Sequence, residues 1–186
     1  MITALDPRTA LVLIDLQKGI LNYPLQKPSS ELLERAGKLL AAFRKSGLPV
    51  VFVTVHPPQP NPAIRRDSAA RAVSTDPVLY EVAPELEVLP EDIRIVKPGW
   101  NAFFGTPLHE ELQRRGITGI VLAGVATSIG VEGTARSAAE LGYNLTFVRD
   151  GMTDWTVAAH EHSLNVIFPR IGEVGESEEV IELLRD

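Results

Sequence analysis

Short, continuous apolar runs separated by segments of helical spacing constrain this chain's fold more than any other feature. Residues 10–14 read as a first strand, 50–55 as a second, 93–96 as a third, 120–123 as a fourth and 145–148 as a fifth. Runs of this kind, apolar at successive positions, suit strands buried on both faces of a parallel sheet. Between the first two, residues 31–45 carry Leu32, Leu33, Ala36, Leu39, Leu40 and Phe43 at helical spacing. Ser29 or Ser30 caps that helix, and Gly47 and Pro49 end it. Further helices are predicted over residues 107–115, 128–141, 155–166 and 178–184. In the first of these Thr106 is the N-cap, Pro107 the first position and Gly116 the stop; Gly142 stops the second. Repeated β-α units wind with right-handed crossovers. The expectation is one α/β domain over residues 1–186, three layers α/β/α around a mostly parallel, doubly wound sheet. A length of 186 residues suits one domain with one sizeable core.

The stretch from His56 to about Pro90 fits no regular element, and Pro57, Pro58, Pro60 and Pro62 forbid one at its start. A loop of that length in a compact domain is usually a lid, a binding loop or an oligomer contact. Arg65, Arg66 and Arg71 lie in it and read as solvated surface residues ahead of a substrate clamp. The net charge of −6 argues against a nucleic-acid partner. A local Lys or Arg still allows an anionic small molecule. There is no cysteine, which removes disulfides, thiolate metal sites and cysteine catalysis together. No secretory signal opens the sequence and no apolar run is long enough to span a bilayer, so a cytoplasmic protein without a membrane partner is expected.

Ligands of open parallel sheets bind at the carboxyl ends of the strands. Asp15 directly follows the first strand, Lys97 follows the third, and Gly130 lies just beyond the fourth, near the start of a helix. Strand spacing alone therefore brings all three to one edge of the sheet. A charge leaving water at a strand end is costly unless paired. Burial raises the pKa of such an Asp and a neighbouring Lys lowers it again, opposed effects that recur at catalytic carboxylates.

Three motifs carry a resemblance. The segment 10–17 ends in Asp15-Leu16-Gln17; Lys97-Pro98-Gly99-Trp100-Asn101-Ala102-Phe103-Phe104-Gly105 follows the third strand; Gly124-Val125-Ala126-Thr127 turns into a helix. In this order and spacing they resemble the isochorismatase-like, or cysteine, hydrolases, from about Thr9 to Leu184. The resemblance implies an isochorismatase-like, Rossmann-like fold and a hydrolase of small molecules. It implies catalytic roles for Asp15 and Lys97, with Gln17, Trp100, Phe103, Ala126 and Thr127 around the substrate. It also implies a cis peptide between Val125 and Ala126, and an oxyanion site made by the N–H groups of Ala126 and Gly130. Trp100 is the expected pocket wall, while at least one of Trp100, Phe103 and Phe104 packs into the core. A homo-oligomer, dimer or tetramer, is implied as well.

In most of that group a cysteine completes a triad with the Asp and Lys; here Gly130 stands at the matching position. The covalent thiol route is closed, and neither Thr127 nor Ser128 replaces it. The isochorismatases proper also lack the thiol and hydrolyse a vinyl ether by acid catalysis, which needs an acid, an electrostatic partner and space. The leading expectation is therefore a thiol-independent hydrolase with Asp15 as general acid/base and Lys97 as its partner, Gly130 giving the space. Ala126-Thr127-Ser128 follows the cysteine branch instead of the Tyr-Ala-His of isochorismatases, which argues against isochorismate itself. Two alternatives stand beside it: an engineered Cys-to-Gly variant, or a catalytically silent relative that binds a small carbonyl compound. Gly133, with Gly130 in the first turns of one helix, suggests close approach by a ligand or a packed backbone. The metal site of the family's nicotinamidases finds only His56 here, and His160 and His162, two apart on a helix, read as surface residues. Neither metal nor organic cofactor is expected.

Overall fold

The computed structural model describes residues 1–56, 65, 67 and 74–185. Pro57, Pro58, Pro60, Pro62, Arg66 and Arg71 of the long loop lie outside the described residues.

Six strands form one parallel sheet: β1 (Thr9–Ile14), β2 (Val50–Val55), β3 (Ile93–Lys97), β4 (Gly119–Val125), β5 (Asn144–Thr153) and β6 (Glu173–Gly175). Their order across the sheet is β3-β2-β1-β4-β5-β6. The chain runs outward from β1 to β3, crosses back to β4 on the other side of β1, and runs outward again. The reversal puts a topological switch point between β1 and β4, where such sheets open a crevice at their carboxyl ends.

Every residue of β1 and β4 is buried, which is why their sequences are apolar without alternation. Successive side chains still leave opposite faces. Val12 and Ile14 pack with Leu108, Leu112, Val131, Ala135, Leu164 and Phe168 on one face. Leu11 and Leu13 pack with Leu32, Leu39, Phe43, Val180 and Ile181 on the other. The helices are α1 (Lys18–Leu21), α2 (Ser29–Lys45), α3 (Leu108–Arg114), α4 (Glu132–Glu140), α5 (Val157–His162) and α6 (Ser177–Leu183). α2 and α6 cover the second face, α3 and α4 the first, giving the expected three layers.

Several boundaries differ from the sequence reading. β3 takes in Lys97. β5 runs to Thr153, because a register shift against β4 between Leu122 and Gly124 admits extra residues before pairing resumes at Met152 and Thr153. β6 is three residues long and only partly buried, too short to show as an apolar run. α3 begins at Leu108, with Pro107 as its N-cap. The helices predicted over 128–141 and 155–166 both contain a π segment, Thr127–Val131 before α4 and Ser163–Ile167 after α5. Within the long loop, Pro77–Tyr80 forms a 3-10 turn capped by the Asp76 side chain.

Gly124 is required where it stands. Its φ is +132°, and a Cβ there would collide with the backbone of Ile14 on the neighbouring strand.

Candidate active site

Asp15, the residue after β1, leaves the strand with φ +54°, a left-handed conformation that Asp tolerates better than most side chains. Its N–H donates to Val53 O (2.9 Å), and its own carbonyl accepts from Gln17 N–H (2.8 Å). This tight turn holds the carboxyl group at the switch point. Lys97 comes from the end of β3, two strands away. β3 alternates buried and exposed residues, and Lys97 occupies the inward side with Ile93 and Ile95. Its ammonium donates to Asp15 Oδ2 (2.8 Å) and to Gly99 O (2.9 Å). Only 5% of Asp15 and 2% of Lys97 is exposed.

The other carboxylate oxygen, Asp15 Oδ1, is buried and has no hydrogen-bond partner among the described residues. Unsatisfied buried polar atoms are rare, and each calls for a reason such as catalysis. Burial raises the pKa of Asp15 from 3.8 to about 6, although the charge and hydrogen bond of Lys97 pull it down. The carboxyl group thus titrates within reach of neutral pH, as a proton donor requires.

Gly130 closes the third side. It is buried in the π segment Thr127–Val131. A Cβ built on it would stand 3.0 Å from Asp15 Oδ2, 3.0 Å from Ile14 Cγ2 and 3.2 Å from Val125 O. A side chain at this position would be aimed at the acid, so the glycine keeps that approach clear. The Val125–Ala126 peptide is cis, as the resemblance implies. The ion pair and the Gly130 contacts bring Asp15, Lys97 and Gly130 together.

The other expected residues have different places. Gln17 is fully buried and its amide donates to Val55 O (3.0 Å) and Tyr80 O (2.6 Å) and accepts from Val55 N–H (2.9 Å). It ties the ends of β1 and β2 to the loop, and both its N–H groups are spent there. The Thr127 hydroxyl donates to Thr153 O (3.0 Å) and meets His160 Nδ1 (2.8 Å), so its side chain is engaged behind the turn. Phe103 stacks on Tyr143 (5.9 Å) and meets His109 edge-on (6.5 Å), which makes it the core member of the aromatic trio. Trp100 is 66% exposed and Phe104 72%, so neither is a buried wall. A Cβ on Gly133 would meet Trp100 Cβ at 3.5 Å, an ordinary contact, so packing does not require glycine there.

The surface reading of His160 is overturned: only 2% of it is exposed, and burial and the charge of Lys27 hold its pKa below the usual value. His162 is exposed. The signal for His160 was present in the sequence, since it shares helical spacing with Leu164 and Phe168. Asp154 was also missed. It is buried, and accepts from Ser128 N–H through Oδ2 and from Trp155 N–H through Oδ1 (both 2.7 Å). Among the described residues no group of three or more His, Cys, Asp and Glu side chains is placed to hold a metal ion. Nor is any helix there long and apolar enough to cross a membrane.

A buried acid–amine pair thus stands at the switch point of a doubly wound parallel sheet, beside the bare helix start at Gly130. Residues 9–179 match the isochorismatase domain family. The isochorismatase family protein YecD of Escherichia coli is 42% identical over 185 residues, covering 95% of this chain and 96% of its own. YwoC of Bacillus subtilis, of the same family, is 42% identical over 182 residues, covering 96% and 95%. An isochorismatase family protein from Burkholderia thailandensis superposes with a TM-score of 0.93 at 40% identity, covering all of both chains. The chain belongs to the isochorismatase family of hydrolases.

Proposed function

We propose that this hydrolase acts on a small molecule without a thiol, with Asp15 as general acid/base and Lys97 as its electrostatic partner, cleaving a vinyl ether or a related C–O or C–N bond. The observation that carries this reading is the Asp15 carboxyl group. It is buried, has a pKa of about 6, has Oδ1 unpartnered among the described residues, and faces a residue with no side chain.

In vinyl-ether hydrolysis the protonated Asp15 gives its proton to the terminal enol carbon. The double-bond electrons form the new C–H bond, leaving an oxocarbenium ion. Water adds to that ion and returns a proton to the Asp15 carboxylate. The hemiketal then collapses to a ketone and an alcohol, so one water is consumed and the acid is regenerated. Lys97, bonded to Oδ2, stabilises the carboxylate formed when the proton leaves. The N–H groups of Ala126 and Gly130 are the proposed donors to a substrate oxygen. Exposed Trp100 and Phe104 support the proposed homo-oligomer, and a cytoplasmic setting belongs to the same reading.

One observation favours a second reading. The direction of a Cβ at Gly130 toward Asp15 is that of a thiol triad stripped of its sulfur, which fits a silent relative that binds a small carbonyl compound. A panel of vinyl ethers, amides and imides, tested on the unaltered protein, on Asp15→Asn and on Gly130→Cys, separates the two. Vinyl-ether cleavage lost in Asp15→Asn supports the acid mechanism. Amide turnover gained only with Gly130→Cys, with no vinyl-ether cleavage, overturns it in favour of the silent relative.

A further inference from the structure

The turn that carries Gly130 is held at both ends by groups of one segment, residues 153–163, which the chemistry above does not use. At its start, the Thr127 hydroxyl donates its one hydrogen to Thr153 O (3.0 Å). The contact to His160 Nδ1 (2.8 Å) must then be an Nδ1–H donating to Thr127 Oγ1, which fixes the imidazole tautomer. One residue on, Ser128 N–H donates to the buried Asp154 carboxylate (2.7 Å). At the far end, the Ser163 hydroxyl donates to Glu132 Oε2 (2.7 Å), while Arg136 holds Oε1 of the same carboxylate (2.9 Å). His160 and Ser163 are three residues apart and therefore project from one face of their helical segment. One grips the turn before Gly130, the other grips it after.

From this bracketing we infer that His160 and Ser163 are positioning residues, which set the distance between the Gly130 backbone and the Asp15 carboxyl group. The π segment is what makes such a clamp necessary. A wide helical turn has weaker internal geometry than an α-turn, and these segments recur where function requires a displaced backbone. His160 and Ser163 are both fully or almost fully buried, and Ser163 opens the second π segment, so the two irregular turns face each other through these bonds. His160 is fixed to Thr127, and burial favours its neutral form, so the clamp carries no charge of its own at the Thr127 end.

The absence of cysteine gives a direct test that needs no substrate. In the Gly130→Cys background the introduced thiol is unique, and its alkylation by iodoacetamide across pH reports its distance from Asp15 and Lys97. Ser163→Ala and His160→Ala are then added separately. The expected result is a displaced midpoint of the pH–rate profile, by about one pH unit, which is a tenfold change in thiolate fraction below the midpoint. His160→Asn, which can place a donor where Nδ1 was, is expected to restore the profile. Should His160→Ala fail to fold, Ser163→Ala and the 1H–15N shift of the Gly130 amide in the otherwise unaltered chain give the same information. A purely structural role predicts lower thermal stability with an unmoved profile and an unmoved Gly130 amide, and that result overturns the inference. This reading rests on the proposed site but not on its reaction: the alkylation profile answers whether or not any vinyl ether is cleaved.

Discussion

The titration of Asp15 is the most direct check on the site. Its pKa rises from 3.8 to about 6 in the fold. Two units or so correspond to about 3 kcal/mol favouring the protonated form. The folded protein therefore binds more protons than the unfolded chain between these values. The stability this group contributes is fully present below pH 3.8, falls as pH rises toward about 6, and is flat above it. NMR of protein labelled with 13C at aspartate carboxyl carbons should show one carboxyl group titrating near 6. Substituting Lys97→Met removes the nearby charge and hydrogen bond that lower the value, so the midpoint should move higher still. Denaturant unfolding of Asp15→Asn beside the unaltered protein supplies the thermodynamic side. The variant, which cannot ionise there, should gain relative stability between pH 4 and pH 6 by up to about 3 kcal/mol. A midpoint at or below the ordinary value for Asp, or a fall on Lys97→Met, refutes the reasoning that desolvation dominates this carboxyl group.

Gly124→Ala combines a forbidden φ with a backbone collision, and should cost about 3 kcal/mol or more, read from urea unfolding. Gln17→Ala breaks three partly buried hydrogen bonds at the ends of β1 and β2 and should cost about 2–4 kcal/mol, with hydrogen exchange rising first around Tyr80. Gly130→Cys should fold, since its Cβ meets contacts at 3.0 Å that yield by a few tenths of an ångström, with a loss of about 1–2 kcal/mol by thermal unfolding.

The central strands could be read from sequence because β1 and β4 are buried throughout, so no exposed position interrupts their apolar runs. α2 was legible for a related reason: it is long enough for its buried face to repeat. The meeting of Asp15, Lys97 and Gly130 followed from strand ends alone. What escaped was set by distant partners. β6 exists because β5 offers it an edge, and its three residues hold no pattern of their own. The roles of Gln17 and Thr127 depend on whether their hydrogen-bonding groups face the crevice or the scaffold, and residues 80 and 160 decide that from far along the chain. His160 was misread through its spacing from His162, when its spacing to Leu164 was the one that located it.

Because Lys97 sits on an outermost strand yet pairs with Asp15 on a central one, the bond spans the whole of β2. Sliding β3 by a single residue would turn Lys97 out to solvent and Val96 in, stranding the carboxyl group. An edge strand is ordinarily the part of a sheet freest to slip or to recruit a stranger. Here the amine at its tip acts as a key cut for one lock, so a misaligned margin and a buried, unpaired carboxyl group are the same event.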